Sequence, residues 1–352
     1  MKKLLCLLLA LLMLASLAAC GGSSNNGGET AAPTEDAAPA EDTGDAGNTS
    51  DGSVSANLTM GTGGESGTYY AFGGVLANYI SQKNSDISIN VVSSGGSAAN
   101  ITGIVAEGTY ELATVQSDVM TYAYNGTNSF AESGAMSDFR VLGALYAETV
   151  QLVTCNPEIK SVADLKGKSI CVGDVGSGTY FNTVDILAAY DMTLDDVSPV
   201  YQSFGDSTES LKDGKIDAAV ITAGAPTTAV TDLSTSKSVY LISIDDEHME
   251  KLLSDCPWYA KLTIPAGTYA GFDEDAVTVT VKATLVASSN LDDDVAYTIV
   301  STIFNGAADI AGLHAKGAEL SVEFATDGIA VPFAAGAARY YAEQGITVAT
   351  AD

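Results

Sequence analysis

Gly61-Thr62-Gly63-Gly64-Glu65-Ser66-Gly67-Thr68-Tyr69-Tyr70 opens a helical pattern, and a later stretch repeats its second half. Ser66-Gly67-Thr68-Tyr69-Tyr70 returns as Ser177-Gly178-Thr179-Tyr180-Phe181. At the same offset Leu76-Ala77 falls on Leu187-Ala188 and Tyr79 on Tyr190. Behind the first copy, apolar residues at 69, 72, 75, 76, 79 and 80 have the spacing of one helix face. Leu58-Thr59-Met60 reads as a strand running into the turn, and Ser66 or Thr68 is placed to cap the helix. Two similar turns, each ahead of a helix, predict two similar lobes facing one cleft.

The same grammar runs along the chain. Asp86 to Ser94 alternates, with Ile87, Ile89 and Val91 on one face of a strand. Ser93-Ser94-Gly95-Gly96-Ser97 then precedes a helix pattern through Ile101, Ile104 and Val105. Residues 112–116 read as a strand, and Ser117-Asp118 as a helix start. Phe139 to Cys155 is a long β-rich run, read as the passage to the second lobe. There, residues 169–173, 216–222 and 239–244 read as strands, and Pro226 suits a first helical turn. Glu107-Gly108 with Glu111 and Ala113 is mirrored by Asp213-Gly214 with Asp217 and Ala219. Thr278 to Ala287 is extended and returns the chain to the first lobe, where helices near 292–315 and 332–344 close it. Strands alternating with helices predict an α/β protein with largely parallel sheets. Ligands of such folds lie outside the carboxyl ends of the strands, where these turns fall. Two crossings make two hinge strands, the layout of a cleft that opens and shuts.

Composition narrows the function. The chain has 352 residues, 46% of them hydrophobic, enough for sizeable cores in two or three domains. Its net charge is −29, with two arginines and two histidines, so nucleic acid is not an expected partner. The acid reads as a solvated surface. Met1-Lys2-Lys3 followed by the apolar run from Leu4 to Leu17 reads as a signal peptide over 1–19, too short to span a membrane. Leu17-Ala18-Ala19-Cys20-Gly21 resembles a bacterial lipobox, which implies cleavage before Cys20 and a lipid on Cys20. Residues 20–57 are small, polar and acidic, and read as a disordered tether. Cys155 and Cys171 lie in apparent strands; a disulfide between them and buried free thiols are both open readings, the latter being the default.

Motifs of catalysis fail on spacing. The dinucleotide loop needs glycine at 66, and the P-loop needs one at 162, where Ser66 and Val162 stand. Ser66, Ser97 and Ser177 do not sit in G-x-S-x-G. His248 and His314 have no metal-ligand companions at motif spacing, and the acidic runs 245–247 and 292–294 lack the pattern of a calcium loop. Those runs read as helix starts, where carboxylates favour the dipole. No metal, cofactor or enzymatic activity is expected. What survives is binding of an anionic or polar solute by helix N-termini, whose first amides lack internal partners.

These residues resemble the TAXI family, the immunogenic type of TRAP-transporter solute receptor. The likeness is carried by Gly63-Gly64, Gly67-Thr68-Tyr69, Gly95-Gly96-Ser97 with Asn100, and Val115-Gln116-Ser117-Asp118. It continues in Leu145-Tyr146 with Glu148, Gly176-Ser177-Gly178-Thr179, Ala223-Gly224 with Pro226, Ile264-Pro265-Ala266-Gly267-Thr268-Tyr269, and Gly336-Ala337 with Arg339-Tyr340-Tyr341. It covers about 58 to 346 in order. Gln151 and Ala334-Ala335 depart from the family pattern, where histidine and His-Pro are expected. The first departure bears on solute preference. The resemblance implies a two-lobed periplasmic-binding-protein fold of the second type, with lobe one over 58–150, lobe two over 151–270 and a return to lobe one over 271–352. It implies capture of a small carboxylate or amino acid, glutamate-like, for a TRAP-type membrane permease, outside the cytoplasm. The expected site comprises Ser66, Gly67, Thr68, Tyr69 and Ser97 from lobe one and Ser177, Gly178 and Thr179 from lobe two. Gln116, Tyr146 and Gly224 line the cleft in this reading, with Tyr69 or Tyr180 as an aromatic wall. A surface sensor signalling occupancy, or an enzyme using the same cleft, are the other classes the sequence leaves open.

Overall fold

The computed structural model describes residues 54–351. The signal peptide, Cys20 and nearly all of the tether lie outside them. In chain order the elements are β1 (Ala56–Gly61), α1 (Thr68–Lys83), β2 (Ile87–Val92), α2 (Ser97–Thr102), β3 (Leu112–Gln116), α3 (Ser117–Asn125) and β4 (Phe139–Thr154). Then come β5 (Ser169–Cys171), α4 (Gly178–Ala189), β6 (Ser198–Val200), α5 (Phe204–Lys212), β7 (Ala218–Ala223), α6 (Thr228–Ser234), β8 (Tyr240–Leu241), α7 (Asp246–Asp255) and β9 (Ala260–Ile264). The chain closes with β10 (Ala276–Ser288), α8 (Asp293–Asn305), α9 (Ala307–Leu313), α10 (Val322–Thr326) and α11 (Ala335–Glu343).

The strands form one sheet in the order β2-β1-β3-β10-β4-β7-β5-β6, with β9 on β10 and β8 on β4. Its two ends are built alike. β1 pairs parallel with β2 and β3, and β5 pairs parallel with β6 and β7. Between them β4 and β10 run antiparallel to each other and to the strands they meet. The sheets are thus mixed at the join, which the parallel expectation did not include. β4 and β10 are long because each serves two cores. Phe139, Val141, Leu142, Leu145 and Tyr146 of β4 pack with the first core, and Val150 and Leu152 with a second. On β10, Val279 and Val281 belong to the second core and Ala283 to Ala287 to the first. The changeover lies at Glu148, whose register partner is Val281.

The first lobe buries one face of α1 through Tyr69, Phe72, Leu76 and Ile80, the periodicity seen in sequence. In the second lobe β7 alternates, with Ala218 and Val220 on one face and Ala219, Ile221 and Ala223 on the other. Both faces are covered, so β7 is buried throughout. This is the two-lobed α/β fold.

Local expectations are corrected in several places. α1 starts from Gly67 with no side-chain cap, because the Thr68 hydroxyl donates instead to the Gly224 carbonyl at 3.1 Å. Pro226 precedes the α6 cap, Thr227, rather than lying in the first turn. The strand expected over 239–244 shrinks to Tyr240–Leu241, and the long helix near 292–315 breaks at Gly306 into α8 and α9. Asp245 and Asp292 do cap helices, accepting from the backbone N–H of His248 and of Asp294 and Val295. Cys155, Cys171 and Cys256 are free. Among the described residues no helix is long and apolar enough to cross a membrane.

Candidate functional site

A cavity of about 50 Å³ lies between the lobes. A water needs roughly 10–15 Å³ on this measure, so the space suits a few water-sized groups rather than a nucleotide or peptide. The first lobe lines it with Gly67, Thr68 and Tyr69 at the start of α1, and with Ser97 and Gln116. The second lobe lines it with Ser177, Gly178 and Thr179 at the start of α4. Four of the residues expected there stand aside. Ser66 faces a separate surface hollow, and its carbonyl accepts from Ala229 N–H at 3.2 Å. Tyr146 is fully buried behind the cavity, edge-on to Phe72 at 5.4 Å. Gly224 lies just beneath, its carbonyl taken by Thr68 and Thr227. Tyr180 packs against Phe181 and Tyr201 and is not part of the wall.

The two turns do different work from a third one nearby. At α2 the amides of Ala98 and Ala99 both donate to the Gly176 carbonyl, so that helix start fastens the lobes together. α1 and α4 begin with no side-chain cap. Their first amides lack helical acceptors, and the macrodipole adds partial positive charge there. Beside α4, the Ser177 and Thr222 hydroxyl oxygens are buried in the cavity wall without a hydrogen-bond partner. Buried hydroxyls are costly to leave unpaired, so both are free to bond a bound molecule.

Two acids line the cavity: Asp174, whose Oδ1 accepts from the Val175 N–H at 2.8 Å, and Glu148. Glu148 accepts from the Tyr69 hydroxyl at 2.6 Å. Burial, reinforced by the charge of Asp118, pushes its carboxyl well above the ordinary range, while Tyr69 and Lys316 pull the other way. Burial, then the charge of Glu148, also raises the Tyr69 phenol. Lys316 is itself buried, 2.6 Å from Glu319, whose other oxygen accepts from Ala147 N–H at 2.7 Å. Among the described residues no lysine or arginine lines the cavity. Among the described residues no group of three or more His, Cys, Asp or Glu is placed to hold a metal ion. The arrangement therefore offers hydroxyl and amide donors together with two acids, the buried Glu148 and the Asp174 beside Ser177.

The model of the NMT1-like family matches residues 60–345. The chain belongs to the NMT1-like family. This NMT1-like chain is also similar to solved structures at low identity. A protein of Bordetella bronchiseptica RB50 is 18% identical, with 81% of this chain and 88% of that one covered and a TM-score of 0.51, which shows a shared fold. The alkanesulfonate-binding protein SsuA from Xanthomonas axonopodis pv. citri, bound to MOPS, is 19% identical over 81% and 83% of the two chains, with a TM-score of 0.47. The GluR0 ligand-binding core from Nostoc punctiforme, in complex with L-glutamate, is 15% identical over 74% and 97%, with a TM-score of 0.45.

Several wall residues of this NMT1-like protein escaped the sequence reading. Thr222 is the penultimate residue of β7 and carried no motif of its own. Phe204 and Ser203 come from α5, whose start has no echo in the first lobe. Glu148 was visible only as part of a Tyr-x-Glu pattern; its place at the changeover of β4 is a tertiary fact. Gln151, the departure that bore on solute preference, is not in the wall. It is buried, donates to Thr227 Oγ1 at 2.8 Å and accepts from the Tyr269 hydroxyl.

Proposed function

We propose that the chain is an extracytoplasmic solute receptor that closes on a small carboxylate or amino acid, glutamate-like, and delivers it to a TRAP-type membrane permease without catalysis. The observation that carries this reading is the pair of unpartnered hydroxyls, Ser177 and Thr222, beside the uncapped start of α4. A carboxylate seated there takes backbone amides and hydroxyls as donors and needs no arginine. Micromolar capture requires only about 8 kcal/mol, within reach of a few such bonds in a dry cleft. Ser177, Gly178 and Thr179 would hold the solute from one lobe, and Gly67, Thr68, Tyr69, Ser97 and Gln116 from the other. The lobes we propose divide where β4 and β10 change cores. The ordered likeness to TAXI receptors and the two-lobed fold support the same role.

Anchoring is part of the proposal: a lipid on Cys20 would hold the receptor to the membrane. Metabolic lipid labelling of wild type and Cys20→Ala tests this, and equal label in both would refute it. The solute reading is tested by a thermal-shift screen of L-amino acids and dicarboxylates, since a molecule that binds only the folded form raises its Tm. A Tm rise with at least one of them is expected; a flat response to all would reject the solute class.

A further inference from the structure

We propose that Asp118 is a proton-binding site at the junction of the lobes, loaded as they close, so that capture of a solute takes up a proton. This rests on the reading of the chain as a receptor whose lobes open and shut.

Asp118 stands in the first turn of α3, in the first lobe, and is 1% exposed. What covers it comes from the second lobe. Asn182 of α4 donates one amide hydrogen to Asp118 Oδ2 at 3.0 Å and the other to the Tyr259 hydroxyl at 2.7 Å. The same side chain accepts from Gln116 Nε2 at 2.7 Å, and Gln116 lines the cavity. Tyr259 in turn donates to Asp185 Oδ2 at 2.9 Å. Both Asn182 amide hydrogens and the Tyr259 hydroxyl are used, yet Asp118 Oδ1 remains buried without a partner, as does the Tyr122 hydroxyl one turn further along α3.

Among the described residues no base offsets the charge. Asp185 on α4 is an acid, Glu148 on β4 is an acid whose own carboxyl feels Asp118, and Cys256, Tyr259 and Tyr122 are weak acids that feel it too. Lys282 on β10 lies next to α3, since its backbone N–H donates to Ser117 Oγ, but its ammonium turns away to the carbonyls of Phe324 and Asp327. Lys316 acts on Glu148. An ionised Asp118 would be a desolvated charge with one bare oxygen, and the neutral acid removes that cost. Burial, with Asp185 adding to it and the amides of α3 and Asn182 opposing, pushes the carboxyl up to about 7. When the second lobe swings away, Asn182 and Tyr259 leave with it and water reaches Asp118. The carboxyl then returns to the ordinary range near 4. The closed form is thus the one with the raised value. Its advantage is complete below the ordinary range and is lost as pH rises through about 7, tenfold per unit in between.

The lobes can be locked without any solute. A Cβ on Gly205 would lie 3.7 Å from the Ser66 Cβ, within the span of a disulfide. In the Ser66→Cys/Gly205→Cys chain, the titration of aspartate carboxyls is followed by carbon NMR in the oxidised and reduced forms. An oxidised Asp118→Asn counterpart identifies the resonance. The expected result is one carboxyl titrating near 7 in the oxidised form, absent from the counterpart, and shifted to the ordinary range on reduction. Asp185→Asn, which keeps Asp118, should lower the oxidised-form value and serves if Asp118→Asn does not fold. An ordinary value in the oxidised form, or the same value in both forms, overturns the proposal. No solute enters the experiment, so its outcome stands apart from that of the solute screen.

Discussion

The Tyr69 hydroxyl donates to Glu148 Oε2 at 2.6 Å, joining the first helix of one lobe to the point where β4 passes into the other. The carboxyl is buried, and burial raises its pKa well above the ordinary glutamate range. A raised folded value means stability that is complete below the ordinary value and lost as pH rises through the folded one. Glu148→Gln keeps an acceptor for Tyr69 and has no proton to lose. Its Tm should therefore fall less than that of wild type between about pH 5 and about pH 8, above the ordinary glutamate pKa. Calorimetric melting curves across that range check this; parallel declines would contradict it.

Gly178 lets Gln116 meet the start of α4. A Cβ there would fall 1.2 Å from Gln116 Oε1, and Gln116 is already held by Asn182. Alanine suits the first turn of a helix, so α4 itself should survive. Gly178→Ala should weaken the best solute of the screen by about tenfold or more, or about 1.4 kcal/mol, with little change in the solute-free Tm. Isothermal calorimetry reads the first and a melting curve the second.

Gly336 sets the crossing of α11 on α8. A Cβ would lie 1.9 Å from the Asp293 carbonyl oxygen, which is backbone and cannot swing aside. Gly336→Ala should cost roughly 1–3 kcal/mol of stability, the usual range for overpacking. Urea unfolding measures it, and a midpoint equal to wild type would show that the helices separate freely.

Cys155, Cys171 and Cys256 are free thiols, and burial raises the pKa of each, Cys256 to about 12. A thiol attacks as the thiolate, so all three should react slowly with a thiol reagent near neutral pH until the protein unfolds. A reducing agent should leave the Tm unchanged. A drop in Tm would point to a disulfide.

The repeated turn carried much of the fold. Strand, glycine turn and helix face were legible at Leu58 to Ile80 and again at Ser169 to Leu187, because alternation and helical spacing are local properties. The long strands β4 and β10 were legible as extended runs, but not their antiparallel pairing, which depends on contacts between residues far apart in sequence. For the same reason Ser66 and Tyr146 read as wall residues. Whether a side chain beside a glycine turn faces inward is settled by the lobe opposite: Ser66 meets α5, and Tyr146 turns into the Phe72 core. Thr222 and the Asp118–Asn182–Tyr259 bonds had no sequence signal, since their meaning lies in burial and in the missing partner.

The most direct test of the central claim is calorimetric titration of wild type and Ser177→Ala with L-glutamate and with the best solute of the screen. The account predicts one site in wild type, with micromolar affinity for that solute, and at least about fivefold weaker binding by the variant, the loss of one hydrogen bond worth about 1 kcal/mol. Equal affinity in both chains, or no heat of binding from any solute, would contradict it.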